Sequence, residues 1–364
     1  MNREKLVSTI RRFRHFIDAS LGLNYEKFNL TGFELSLPLL TASSHNTYLE
    51  TISDKADTIY LRVKDAISEM ITYSYLESIN RLSKQFDWKN RKIVLAFDYT
   101  DENFYGEVNG FDIHGSPKGN GISGTFKFLT CSIVSDEIPE KIPLLSIPIG
   151  LGHYKSYAIT HCLKLVKDFI GDIDLILFDR GYYDKDLMFE LSQNNYPYLI
   201  FVPKHKDKLE ILYPMEKGEQ IPIYNDFTVN KNKSNYSGEN FMIFLKQIYD
   251  KKSNNEYDWV FVTNVKEVAL SKIIPTYKKR WRIETGFRVQ DEARIKCKSR
   301  DMKIRYFIFM CEQFLQSQWM CFFKEEVSFK KFIIELQRVC ETIVHNPKRS
   351  YKRNLKARPS RISD

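Results

Sequence analysis

Two aspartates stand at the same place in two apolar segments of this sequence. Asp98 closes the run Val-Leu-Ala-Phe-Asp, and Asp179 closes the run Leu-Ile-Leu-Phe-Asp. Short apolar runs of this kind predict buried strands, and an Asp that ends such a strand is held at the edge of a sheet. Carboxylate oxygens in that position suit hard cations such as Mg²⁺ and Mn²⁺. Each Asp alone could instead cap a turn or a helix after its strand.

A third carboxylate, Glu284, lies in a basic segment with helical spacing. Residues at intervals of three and four predict one helix face, made of Tyr277, Arg280, Glu284, Arg288 and Asp291. From 277 to 300 the chain holds nine basic and three acidic residues. That excess favours a surface that meets phosphates around one metal ligand. The alternative is a solvated salt-bridge face, in which Arg280 pairs with Glu284 one turn away.

The spacing Tyr-x-x-Arg-x-x-x-Glu, met by Tyr277, Arg280 and Glu284, resembles the signature of a large group of bacterial and archaeal insertion-sequence DDE transposases. That group also carries an Asp after the first strand of a ribonuclease-H-like core, where this chain has Asp98. Its second Asp is often followed by a basic or small residue, a Gly and an aromatic residue, and Asp179-Arg180-Gly181-Tyr182 resembles that motif.

One position departs from the group's pattern. The signature usually ends in Lys seven residues after the Glu, and this chain has Asp291 there. Arg288 or Lys296 could make the phosphate contact instead. Asp291 is also a rival carboxylate, although the Tyr–Arg spacing favours Glu284.

The resemblance implies two divalent ions, Mg²⁺ or Mn²⁺, held by Asp98, Asp179 and Glu284, with Asp98 bridging both. Two ions about 4 Å apart can activate the attacking oxygen and stabilise the leaving oxygen of an in-line displacement. The implied activity is metal-dependent cleavage of transposon ends and strand transfer into target DNA, by a homodimer on paired ends. Two other functions stay open, namely a different ribonuclease-H-like nuclease and a catalytically inactive, transposase-derived DNA-binding protein.

Basic and aromatic residues near these carboxylates are the candidates for DNA contact: Tyr277, Arg280, Arg180, Arg288 and Lys118. Lys118 lies in a Gly-rich loop after the first strand, where a plain hairpin turn is the alternative. Trp281 could stack on an unpaired base, but a place in the core is the expectation for a Trp.

Composition agrees with a globular protein that has an anionic partner. The 364 residues are 43% hydrophobic and carry a net charge of +9, which favours DNA. The apolar run Tyr306–Phe323 contains Glu312 and three glutamines, so we expect a buried core helix and no membrane span. The six cysteines form no CxxC pair, which favours reduced thiols and no zinc site. The resemblance fits the cytoplasm of a prokaryotic cell, on the nucleoid.

The order of predicted elements indicates an α/β fold. Three strands followed by helix, strand, helix and strand predict a mixed sheet flanked by helices. The resemblance to DDE transposases implies that this sheet is ribonuclease-H-like. We expect a helical N-terminal region over 1–88, which either binds DNA or caps the core. The predicted catalytic core covers 89–203 and 265–345, with a β-rich insertion at 204–264 and a basic tail at 346–364.

Overall fold

The computed structural model describes residues 1–23, 32–115, 121–136, 141–228, 237–250, 254–267 and 269–345. Its helices are α1 (Arg3–Ser20), α2 (Gly32–His45), α3 (Leu49–Ile52), α4 (Ala56–Asp65), α5 (Ser68–Phe86), α6 (Lys155–Ile170), α7 (Lys185–Gln193), α8 (Lys206–Leu212), α9 (Leu270–Lys278), α10 (Trp281–Asp291), α11 (Met302–Phe322) and α12 (Phe329–His345). Its strands are β1 (Val94–Phe104), β2 (His114–Gly115), β3 (Gly124–Ile133), β4 (Ile142–Ile149), β5 (Leu175–Phe178), β6 (Tyr198–Phe201), β7 (Gln220–Thr228), β8 (Ser237–Asp250) and β9 (Asn255–Thr263).

One mixed sheet contains all of these strands. Its central order is β4-β3-β1-β5-β6, in which β1 pairs antiparallel with β3 and parallel with β5. The parallel strands β5 and β6 are joined by α7, and α6 connects β4 to β5. This order, three antiparallel strands followed by two parallel ones with intervening helices, confirms the predicted ribonuclease-H-like α/β fold.

The β-rich insertion continues this sheet. After α8, strands β7, β8 and β9 form an antiparallel meander, and β9 pairs with β6 from Leu199–Thr263 to Phe201–Phe261. The alternating apolar residues of β9 put Phe261 in the same buried cluster as Leu177 and Leu199 of the core strands. The insertion therefore adds strands to the central sheet and contributes to its core.

The chain divides into two compact units, and the division differs from the predicted one. One unit is Asn80–Phe287; the other is Met1–Ile79 together with Arg288–Asp364, as far as these are described. Sequence reasoning assigned α11 and α12 to the catalytic core. They instead complete the hydrophobic core of the N-terminal helices, since Phe16 of α1 stacks on Phe314 of α11 with ring centroids 5.1 Å apart.

Helix α11 is a core helix, as the sequence predicts. Its residues from Ile304 to Met320 are buried, including Glu312 and the three glutamines. The Glu312 carboxylate accepts hydrogen bonds from the Ile295 amide and from Gln290 Nε2, each at 2.6 Å. A buried charge is tolerated when it is hydrogen-bonded in this way. Within the described ranges, no helix is both long and apolar enough to cross a membrane.

Glu312→Ala should lower the free energy of unfolding by about 2–5 kcal/mol, because it leaves two buried donors without an acceptor. Urea denaturation followed by circular dichroism measures the change. Glu325→Ala, at an exposed position just beyond the same helix, is the matched control and should change stability by less than about 0.5 kcal/mol. Equal effects of the two substitutions would contradict the structural role of Glu312.

Candidate active site

The two aspartates sit on neighbouring parallel strands. The β1–β5 ladder ends at Ala96 and Leu177, and beyond it β1 continues beside β3 as far as Phe104. Asp98 thus lies within β1, two residues past the ladder, whereas the apolar run predicted that it would end the strand. Pairing with β3 is the reason, because it holds the polar half of β1 extended.

Asp179 follows the last residue of β5. It caps a 3₁₀ turn, Arg180–Tyr182, and Tyr182 N donates to its carbonyl at 2.9 Å. The residues before the two aspartates, Phe97 and Phe178, stack with centroids 5.5 Å apart. This stacking aligns the two strands where they approach the carboxylates.

Helix α10 carries the third carboxylate, Glu284, and α9 precedes it in the chain. The apolar faces of these helices place Ile273, Tyr277 and Ile283 in the core cluster of the sheet. The Arg282 guanidinium donates to the Val134 carbonyl at 2.7 Å and to the Asp136 carboxylate at 2.6 Å. Lys279 Nζ lies 2.5 Å from the same carboxylate. The start of α10, and with it Glu284, is thereby tied to the end of β3.

The Arg280 guanidinium lies among the three carboxylates. Its Nη2 is 2.7 Å from Glu284 Oε1, and its Nη1 is 3.4 Å from Asp98 Oδ2. The hydroxyl of Tyr277 donates to Asp179 Oδ1 at 3.4 Å. Arg280 is 5% exposed. Arg280 and Tyr277 together therefore contact Asp98, Asp179 and Glu284. The Arg280–Glu284 ion pair, which was the alternative for this helix face, is present.

Burial and charge perturb the pKa of several of these groups. Burial raises the pKa of Asp98 to about 6; Arg280 and the Tyr99 amide oppose that rise, while Glu284 and Asp179 add to it. Burial alone would lower the pKa of Arg280, but Tyr277, Asp179, Glu284 and Asp98 outweigh it and raise that pKa. The mutual effects of the carboxylates indicate that they share one electrostatic environment.

The three carboxylates are a donor set that suits a divalent cation, but the Arg280 guanidinium lies between Asp98 and Glu284. In the described part of the chain, no three His, Cys, Asp or Glu side chains are placed together as metal ligands. Arg280 lies where positive charge is needed, and its buried Nε has no hydrogen-bond partner. Oxygen-only donors fit Mg²⁺ or Mn²⁺. The residue types therefore fit these ions, provided that the Arg280 guanidinium moves.

The other candidate residues fall in different environments. Tyr277 is 2% exposed, so its ring is packed inside the core. Arg180 and Arg288 are exposed, the latter one turn after Glu284 on α10. Lys118 lies outside the described residues. The structure brings Tyr277 and Arg280 to the carboxylates and leaves the two exposed arginines at the surface.

Two further residues of α10, Asp291 and Trp281, lie at the surface. Asp291, the rival carboxylate, is exposed and pairs with Arg294 at 3.4 Å. Trp281 was expected in the core, and this expectation was wrong, since it is 38% exposed. The helix turns Ile283 toward the sheet, which leaves Trp281 on the outer side.

Sequence reasoning missed an aromatic pair and a lysine beside the site. Tyr99 and Tyr182 stack with centroids 5.4 Å apart, and each closely follows one of the aspartates. Lys155 Nζ donates to the Gly181 carbonyl at 2.5 Å and lies 5.4 Å from the Tyr182 ring centroid. The recurrence of a Tyr after both aspartates was a usable signal for the pair. Nothing local in the sequence signals the lysine.

Asp98→Asn should stabilise the protein at pH 7 by about 1–3 kcal/mol, because a carboxyl with a raised pKa resists ionisation in the folded state. In the wild type, the stability associated with the protonated Asp98 is complete below about pH 4 and is lost as pH rises through about 6. The gain should therefore shrink toward pH 4. Thermal denaturation at both pH values measures it. The control is Asp101→Asn, on the same strand and paired with Lys127 at 3.8 Å, and a gain of the same size and pH dependence there would contradict the assignment.

Comparison with known proteins shows which family and which fold part of this chain resembles. Residues 149–306 match the family model of the transposase DDE domain. The fold is similar to that of a piggyBac transposase solved as a synaptic complex with hairpin DNA, with a TM-score of 0.53 and 13% identity over 98% of this chain and 84% of that one. A search of curated proteins finds no match. The matched segment includes Asp179 and Glu284, and Asp98 precedes it. Residues 149–306 therefore resemble a transposase DDE domain, and the resemblance to DDE transposases stated from the sequence is confirmed.

Proposed function

We propose that this protein is a DDE transposase that cleaves transposon ends and transfers them into target DNA, with Asp98, Asp179 and Glu284 as its catalytic carboxylates. The observation that carries the proposal is the shared contact of these three groups with Arg280 and Tyr277. All five residues belong to the sequence motifs that resemble those of DDE transposases. A salt-bridge face built for helix stability alone would have no reason to reach across to two strands.

Asp98, Asp179 and Glu284 would hold the two Mg²⁺ or Mn²⁺ ions. Bound there, the ions would supply activation of the attacking oxygen and stabilisation of the leaving oxygen. The chain's own contribution is position, because β1 and β5 hold two carboxylates rigidly and α10 brings the third. Glu284, with 41% of its side chain exposed against 21% for Asp98, is open to the DNA.

Arg280 is the residue that responds to DNA in this proposal. Its guanidinium can exchange Asp98 and Glu284 for the two oxygens of a phosphate, a pairing that Arg makes with the same fork geometry. The exchange would free the carboxylates for cations. Tyr277 was predicted to contact DNA, but its burial suits it better to orient Asp179.

The DNA path uses exposed basic residues around this site. Arg180 follows Asp179 directly, and Arg288 stands one helical turn beyond Glu284. Lys118 and the basic tail at 346–364, with seven Lys and Arg against one Asp, remain proposed phosphate contacts outside the described residues. Action on paired ends would require a homodimer.

Glu284→Gln, Asp98→Asn and Asp179→Asn should each lower metal-dependent cleavage and joining by about a thousandfold or more, because both ions must be placed. The assay uses DNA that carries the ends of the protein's own element, with Mg²⁺ or Mn²⁺, and resolves nicked from joined products. Asp291→Asn is the matched control on the same helix, and it should keep at least about half of the wild-type rate.

The products of this assay discriminate between the functions. Joined product from the wild type, absent from the three variants, supports a transposase. Cutting without joining would indicate another ribonuclease-H-like nuclease. DNA binding without cutting would indicate an inactive relative. Loss of activity in Asp291→Asn with retention in Glu284→Gln would move the third ligand to Asp291.

Tyr277→Phe should lower the rate of cleavage about tenfold, because it removes the hydroxyl that orients Asp179 while the ring keeps its packing. The dependence of rate on Mn²⁺ concentration should shift to higher concentration, and the thermal midpoint should stay within about 2 °C of the wild type. Tyr60→Phe is the control, since it removes a similar hydrogen bond, to Glu50 at 2.8 Å, outside the site. A rate unchanged in Tyr277→Phe would show that the hydroxyl plays no part.

A further inference from the structure

An exposed group of apolar side chains lies beside the carboxylates and has no part in the function proposed so far. Phe111 and Tyr154 are each 81% exposed, Tyr157 is 69% exposed and Leu151 is 48% exposed. We call these four residues the aromatic corner. Large apolar side chains that are exposed as a group often mark interaction sites on a protein surface.

Backbone contacts hold the corner together. The Leu151 amide donates to the Phe111 carbonyl at 2.6 Å, which joins the loop after β1 to the loop after β4. Gly152, with φ of +87°, then turns the chain into α6. Tyr154 is the N-cap residue of α6, and Tyr157 lies one turn later. The aromatic rings are thus presented from ordered backbone.

The corner adjoins the catalytic turn. Lys155, between the two tyrosines, donates to the Gly181 carbonyl at 2.5 Å and lies over the Tyr182 ring. Tyr182 in turn stacks on Tyr99, the neighbour of Asp98. A strand of DNA leaving the carboxylates on this side would therefore pass the corner.

The α6 side of the corner carries a charge that suits phosphates, and the exposed Asp112 follows Phe111 on the other side. The segment 150–167 holds three Lys and two His, and no Asp or Glu. His161 stacks on Tyr157 with centroids 6.1 Å apart, and Lys164 is exposed one turn further along α6. Aromatic rings interleaved with basic side chains are the arrangement that binds unpaired nucleotides, since each base has a face to stack and each phosphate needs a cation.

We propose that the aromatic corner and the exposed face of α6 bind unpaired nucleotides of a DNA strand next to the cleavage site, by stacking bases on Phe111, Tyr154 and Tyr157. This inference rests on the proposed function for the identity of the nucleic acid. It adds to that function a surface that selects for unpaired bases, where the carboxylates select for phosphodiester bonds.

The test compares two fluorescent oligonucleotides, an oligo-dT of twenty residues and an abasic strand of the same length and charge. The full chain should bind oligo-dT about tenfold or more tightly than the abasic strand, as measured by anisotropy, because stacking on one ring is worth about fivefold or more and the corner offers three rings. Phe111→Ala/Tyr154→Ser/Tyr157→Ser should lose this preference and bind both strands with the wild-type affinity for the abasic one.

Single substitutions guard against an unfolded variant. Tyr157→Phe keeps the stacking ring and should keep the preference, whereas Tyr157→Leu should reduce it about threefold or more. Tyr213→Ser removes a tyrosine that is equally exposed, at 71%, but lies outside the corner, and should change nothing. Equal binding of both strands by the wild type would overturn the inference, as would an equal loss in Tyr157→Phe and Tyr157→Leu.

Two further outcomes separate this inference from its neighbours. If the triple variant alters the oligomeric state on gel filtration and leaves the base preference intact, the corner is a contact between protein copies and the inference fails. If the wild type prefers oligo-dT but neither cuts nor joins DNA, the nucleotide surface stands and the proposed transposase activity fails. The two hypotheses are thus tested independently on one preparation.

Discussion

The site depends on the burial of one positive charge among three negative ones. Arg280 is almost fully buried, and a guanidinium in that position is tolerated because Asp98 and Glu284 bind it directly and Asp179 lies nearby. The carboxylates need the guanidinium in turn, because otherwise they would repel one another at close range. Removing the guanidinium would leave three carboxylates without a compensating cation. A bound cation could replace the Arg280 guanidinium, because either positive charge would compensate the carboxylates.

Different parts of the fold position the carboxylates and the residues that contact them. The sheet supplies the aspartates, since β1 and β5 are parallel neighbours whose ladder ends just before them. The insertion supplies packing partners for α9. The ring centroid of Tyr277 lies 6.3 Å from that of Trp259 and 5.0 Å from that of Phe261, both on β9. A segment that looks like an addition to the fold thereby helps to orient the phenol at Asp179.

Several features around the site lower stability and suit function. A carboxyl held at a pKa of about 6 disfavours the folded state at neutral pH, and Trp281 and the aromatic corner expose apolar surface. By contrast, the one carboxylate of α11 is buried together with two hydrogen-bond donors. Local departures from ordinary burial and pairing are characteristic of functional sites.

The sequence by itself determined most strands and helices, the order of the mixed sheet and the identity of the three candidate carboxylates, because hydrophobic periodicity and motif spacing are local properties. Even the two alternatives for Arg280 could be stated from its spacing to Glu284. Tertiary structure decided between them, and it also decided that Tyr277 is buried, that Trp281 is exposed and that α11 and α12 join the N-terminal helices. These outcomes depend on contacts such as Arg280 with Asp98 and Phe16 with Phe314. Residues so far apart in the chain produce no local sequence pattern from which their contact could be predicted.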